Sequence, residues 1–301
     1  MSRKLIFCAL LIFLEASRLP SNAQAPSSKE MPPASKPADS SSTKQETLET
    51  RVEQYLRNLY AWGPDFEVKV GPAKPSPVGD LLEVRVTVSM AGQSDTATMY
   101  VTKTGNFLLR GELADMAADP FADVRSKLHV GKSPAIGPAD AKITLIEFAD
   151  LECPSCRQLD YVLRGLLPEH PEIRLVFKHY PLTDIHPWAM TAAIATQCAY
   201  EQNPDTFWKM HDTIFDEQNV ISPTGAWDKM LDLATKLGLQ IDPYRACMTN
   251  PETAAQVKET MDEGHALNVT ATPTTFVNAR RAVGADKSLI ERYIAYEKAI
   301  N

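Results

Sequence analysis

Two cysteines three positions apart close an apolar run, Ile143-Thr-Leu-Ile-Glu147-Phe-Ala-Asp150-Leu-Glu-Cys153-Pro154-Ser155-Cys156. The Ile and Leu of that run predict a buried strand, and Pro154 stands where a helix begins. A strand that turns directly into a helix at two cysteines admits few architectures and marks where chemistry belongs. Helical side chains at i and i+3 sit roughly 5–6 Å apart at Cβ, whereas a disulfide wants about 3.8 Å. The first turn must tighten to close the bond, so the bridge is easier to reduce than a relaxed structural one.

Zinc is the competing use of Cys-x-x-Cys, and it wants four ligands. The other cysteines beyond Cys8, Cys198 and Cys247, are isolated, and the six histidines show no ligand spacing. No metal and no cofactor are therefore expected. A nucleophilic thiol must ionise, and an unperturbed cysteine near pKa 8.5 is only about 3% thiolate at neutral pH. A helix N-terminus contributes roughly 0.3–1 kcal/mol, and up to about 2 when partly buried. Cys153, at the helix start, gains that help and is assigned as the nucleophile; Cys156, one turn in, is the resolving thiol. Asp150 and Glu152 oppose it, because nearby negative charge disfavours a thiolate.

The ends of the chain constrain where this happens. Arg3 and Lys4, an apolar run from Leu5 to Leu14, and Ser21-Asn22-Ala23 have the layout of a secretory signal peptide over residues 1–23, cleaved after Ala23. The expected location is periplasmic or otherwise extracytoplasmic, where disulfides persist. Residues 24–45 are rich in Pro and Ser, cannot offset their own ordering entropy, and are expected to be a disordered linker. A net charge of −7, with 31 Lys and Arg scattered among 38 acids, argues against nucleic acid as a partner.

From Glu46 to Tyr60 the apolar residues follow a helical stripe. Alternating segments follow at Phe66–Val70, Leu82–Ser89, Thr96–Val101 and Phe107–Arg110, with Lys103-Thr-Gly105-Asn as a hairpin turn. Residues 46–128 are read as a small α+β domain and 129–140 as a Gly/Pro-rich connector. The second domain, 141–301, runs strand, helix, strand, a helical block over about 186–266, two strands forming a hairpin, and a closing helix.

At this point several separated motifs agree. Ser133-Pro-Ala-Ile-Gly-Pro-Ala-Asp-Ala141, the Cys-Pro-Ser-Cys stretch, Phe177-Lys178-His-Tyr-Pro181-Leu, His186-Pro187 and Thr270-Ala-Thr272-Pro273-Thr-Thr-Phe-Val resemble the thioredoxin superfamily, and within it the DsbA-like extracytoplasmic thiol oxidoreductases. The resemblance implies an α/β thioredoxin fold with an inserted helical domain, preceded by the small α+β domain. It implies that Pro273 is a cis-proline facing the cysteines, and that Thr272, Pro273, Pro154 and Ser155 form the surface offered to substrate.

By the same resemblance Glu147 is a buried acid that assists proton transfer, paired with Lys178 on the adjoining strand; the alternative places both at strand ends, reaching solvent. Cys198 and Cys247 correspond to a second, non-catalytic disulfide of some relatives. The stretch Met99 to Asp115 is similar to the end of the dimerisation domain of DsbC/DsbG-type isomerases, which implies a homodimer through the N-terminal domain. The function implied is an exported enzyme that forms or isomerises disulfides in cysteine-containing exported proteins, served by a membrane or soluble redox partner. Pro154 favours oxidation; Thr272 and the isomerase-like first domain favour isomerisation or reduction, and Ser155, where the strong oxidases often carry His, argues against an extreme oxidising potential. A chaperone or Cu(I)-binding module on the same fold is the competing reading.

Overall fold

The computed structural model describes residues 46–300. The expected signal peptide and linker lie outside the described residues. The chain divides into two compact units between Asp115 and Met116.

The first unit opens with α1 (Leu48–Tyr60), whose N-cap Thr47 accepts a hydrogen bond from the Thr50 N–H. Ala61 ends it in the left-handed region, at φ 54°. Five antiparallel strands follow: β1 (Glu67–Val70), β2 (Lys74–Pro75), β3 (Leu81–Met90), β4 (Gln93–Thr102) and β5 (Leu108–Arg110). They order as β1-β3-β4-β5, with β2 pairing β3. Alternation puts Val84, Val86 and Val88 on one face, where they meet Met99, Val101 and the helix residues Val52 and Leu56. The β3–β4 hairpin is closed by Ala91 and Gly92, both at positive φ (51° and 81°), as a tight two-residue turn demands. Ala-Gly lacks the Asn or Asp that usually announces such a turn.

The second unit begins earlier than the connector predicts. Phe121 lies under the Arg280 guanidinium, 4.6 Å away. Behind it α2 (Ala122–Lys127) lends Val124 to the core, joined by Leu128 and Val130. The His129 N–H donates to Glu263 Oε1 at 2.9 Å, and β6 (Ala135–Ile136) pairs with a central strand. Residues 116–140 thus belong to the second unit, because Val124, Leu128 and Val130 pack into its core while only Met116 and Ile136 among the large apolar side chains stay exposed.

After β7 (Ile143–Ala149) come α3 (Pro154–Leu166) and β8 (Ile173–His179). The helical block comprises α4 (Ala189–Gln202), α5 (Pro204–Asp216), α6 (Ala226–Lys236), α7 (Ile241–Met248) and α8 (Pro251–Ala266). β9 (Thr274–Val277), β10 (Arg280–Val283) and α9 (Lys287–Ile300) complete the chain. The sheet order is β10-β9-β7-β8-β6, with β7 and β8 parallel and the other pairs antiparallel. The parallel pair is buried on both faces, which is why both strands read as continuous apolar runs. Buried alanines at 189, 192, 193 and 195 let α4 pack closely within the block. Cys198 on α4 and Cys247 on α7 are joined, with their Cα atoms 5.8 Å apart. Among the described residues no helix is long and apolar enough to cross a membrane.

Candidate active site

The parallel strand β7 delivers the chain to Cys153, which is the N-cap of α3, with Pro154 in its first turn. Pro suits that place because its missing N–H has no acceptor there anyway. Cys153 and Cys156 are both free thiols. Cys156 is fully buried and Cys153 keeps 7% of its surface, so a substrate sulfur meets Cys153 first.

Each sulfur has a defined environment. Cys153 Sγ lies 3.6 Å from the Thr272 carbonyl oxygen, to which only its thiol form can donate; the Asp150 N–H donates to Cys156 Sγ at 3.3 Å. The Cys153 thiol is lowered from 9.0 to about 5, first by a hydrogen bond from Cys156, then by the Thr272 side chain and by the N–H groups of Cys156 and Ser155, against the opposing effect of burial. Helix-start N–H groups do contribute, as the sequence argument requires, but the partner thiol comes first. Cys156 is pushed well up by burial, then by its hydrogen bond to Cys153 and the charge of Cys153, and further by Glu147. One sulfur is therefore held as thiolate and the other as thiol.

Thr272 and Pro273 arrive from the far end of the chain on the loop before β9, and the peptide bond between them is cis. This brings together the two stretches that the sequence separates by more than a hundred residues.

Glu147 and Lys178 both lie in the interior, at 2% and 3% exposure, so neither reaches solvent from a strand end. Their expected pairing is corrected by the structure. Lys178 Nζ donates to Glu263 Oε2 at 2.8 Å, an ion pair with α8, and Glu147 Oε1 has no hydrogen-bond partner. Adjacent strand residues one position out of register point to opposite faces: Glu147 stands opposite Phe177, not Lys178. Burial raises Glu147 to about 8, and the charge of Asp160 adds to it.

Other side chains hold the motif in roles not singled out from sequence, which presents Asp150 and Glu152 only as charges opposing the thiolate and leaves Gln218 unnamed. Asp150 points away from the sulfurs: its carboxylate accepts from the N–H groups of Glu152 and Leu182, both at 2.8 Å, and meets His186 Nδ1 at 2.7 Å. That explains a fully buried acid beside a thiolate. The Glu152 carboxylate accepts from the Trp188 N–H, and Gln218 Nε2 donates to the carbonyls of Leu151 and Cys153. His186 and Trp188 at the entry to the helical block and Gln218 within it thus hold the cysteine loop. Only the position of Asp150 and Glu152 next to the motif hinted at this.

A family model described as Thioredoxin matches residues 129–294. A curated relative, Na(+)/H(+) antiporter NhaA 3 of Salinispora tropica, is 34% identical over 56% of this chain and 25% of its own length. Disulfide bond formation protein D of Bacillus subtilis is 26% identical over 48% of this chain and 67% of its own. The chain spans about a quarter of the length of the first curated relatives it matches. Among solved structures, oxidised BdbD from Bacillus subtilis superposes with a TM-score of 0.51 at 24% identity, covering 56% of this chain and 94% of that one. The chain belongs to the thioredoxin family, and in it a helical block interrupts the thioredoxin sheet.

Proposed function

We propose that the chain is a thiol:disulfide oxidoreductase acting on cysteines of exported proteins outside the cytoplasm. The observation that carries this is the division of labour between the sulfurs: a Cys153 that keeps a little surface and is stabilised as thiolate, set against a fully buried, protonated Cys156. A substrate thiolate attacks Cys153 Sγ of the oxidised pair. The bond to Cys156 breaks, and Cys156 leaves as thiolate and takes up a proton. A second substrate thiolate then attacks the substrate sulfur of the mixed disulfide, forming the substrate disulfide and releasing Cys153 as thiolate. The enzyme is reduced by two electrons, and a membrane or soluble disulfide partner reoxidises it.

A stabilised Cys153 thiolate stabilises the reduced enzyme and so favours oxidation of the substrate. The backbone of Thr272 beside Cys153 suits pairing with an extended peptide. The Disulfide bond formation protein D likeness supports the same reading. Insulin reduction with dithiothreitol tests it: the purified protein accelerates precipitation and Cys153→Ala does not. Equal rates for the two sink the redox reading.

Residues 46–115 are the proposed dimer element, since Tyr55, Leu59, Phe107 and Leu109 are exposed apolar side chains of that unit. The mass in solution is expected to be that of a dimer; a monomeric full-length protein removes this part.

A further inference from the structure

Cys156 exchanges a proton in every turnover, yet it is fully buried and so is its neighbour Glu147. A proton taken up or lost there needs a way to solvent. Asp160 lies one helical turn beyond Cys156 on α3, and its side chain is buried too. Its charge acts on Glu147. On its other side Asp160 Oδ1 lies 3.8 Å from His211 Nδ1, and that nitrogen lies 2.8 Å from Asp212 Oδ1. Asp212 is 41% exposed. Asp160 and Asp212 both line a cavity of about 400 Å³, whose walls include Leu163, Arg164 and Trp208.

Among the buried atoms here without a hydrogen-bond partner within the protein are Glu147 Oε1, Thr275 Oγ1, His179 Nε2 and His211 Nε2. Thr275 stands directly opposite Glu147 across the β7–β9 pair. Buried polar atoms of this kind are the usual hosts of bridging water. A metal reading of Asp160, His211 and Asp212 is disfavoured, because Arg164 already pairs with Asp160, Asp212 and Asp216. The other groups facing His211 are His179 on β8, whose charged form burial suppresses, and the rings of Phe177, Phe207, Trp208 and Phe215. The aromatic wall leaves the carboxylates as the polar exit.

We propose that Asp160 and His211 are positioning residues that carry the proton exchanged between Cys156 and Glu147 to and from the solvent of this cavity, with Asp212 at its mouth. When Cys156 leaves as thiolate, Glu147 gives it a proton and is recharged through Asp160 and His211. In the reverse step, the Cys156 thiol attacks Cys153 of a mixed disulfide, the substrate leaves as thiolate, and the proton travels outward. The inference rests on the oxidoreductase reading.

The test is single-turnover exchange between the oxidised full-length protein and dithiothreitol, followed against pH and imidazole concentration. His211→Gln and Asp160→Asn are expected to slow exchange about tenfold at low buffer and to regain rate as imidazole rises, while the parent is indifferent to it. Asp212→Asn, a surface change that spares the fold, is expected to lose about twofold to threefold with the same rescue. Parent-like rates, or slowing without imidazole dependence, overturn the relay. If the buried variants do not fold, Asp212→Asn decides alone. A parent that does not exchange at all overturns the oxidoreductase reading instead.

Discussion

Among the described residues, every buried polar or charged side chain lies between Glu147 and Glu297, whereas the interior of residues 46–115 is built from Val52, Leu56, Val84, Val86, Met99 and their apolar neighbours. Both units are mixed helix and sheet of ordinary construction. The difference shows what each interior is for. A purely apolar core obtains its stability from burial alone, while a buried charge costs free energy unless it is paired. Within the second unit the buried polar groups divide again. Asp150, Lys178 and Glu297 are matched by His186, Glu263 and Arg280, and tie elements together. Glu147, His179 and Thr275 have buried atoms without partners, and they gather around the sulfurs and the aromatic wall. Unmatched polarity marks the chemistry more closely than polarity itself.

The largest test of that contrast removes a sulfur. Cys156→Ala is expected to abolish turnover and to accumulate a mixed disulfide on Cys153, visible by intact mass; free turnover by this variant would mean that the buried sulfur is ornamental. Next is Glu147→Gln. A carboxyl raised from 4.5 to about 8 binds its proton more tightly when folded, so its contribution is full below pH 4.5 and is lost as pH rises through 8. Denaturant unfolding of the parent should weaken across that window, and the variant should be flat there and more stable than the parent above it. The opposite slope refutes the placement of this acid.

For a matched group the expectation reverses. Lys178→Ala leaves the partly buried Glu263 without its cation and is expected to cost about 2–3 kcal/mol, below the ~3–5 kcal/mol of a fully buried pair, read from urea midpoints, whereas Lys178→Met with Glu263→Leu should recover most of it. In the apolar unit, Leu56→Ala should cost about 2–5 kcal/mol with the exchange rate per folded molecule unchanged. A fall in that rate would show that residues 46–115 take part in the chemistry. The smallest effect belongs to Tyr55→Ser on the exposed side of α1, within about 0.5 kcal/mol on the monomer.

How much of this was legible depends on distance along the chain. Cys153, Cys156 and Glu147 share one strand-to-helix stretch, and its apolar run announces both the strand and the burial of the acid. The order of elements in the second unit follows from hydrophobic periodicity for the same reason. Asp160 was legible in principle: it stands four residues after Cys156, on the face that a helix beginning at Pro154 must bury. The partner of Lys178 was not, because Glu263 lies 85 residues away and nothing local to either names the other. Residues 116–140 misled for a different reason. Gly and Pro there punctuate a segment that nonetheless docks through Phe121, Val124, Leu128 and Val130, and docking is a property of the surface they meet.

The tie between Cys198 and Cys247 carries a consequence for how the protein comes into being. Closing a loop of 49 residues removes about 4 kcal/mol of freedom from the unfolded chain, so the helical block that grips the cysteine loop is held partly by a bond of the kind the protein is proposed to make. Under the proposed function, a newly made molecule is a client before it is a catalyst. On that reading the first copies depend on an oxidant from outside, and later copies are expected to inherit their closed form from older ones. A delay in activity after synthesis, shortened by seeding with mature protein, is the signature of that inheritance.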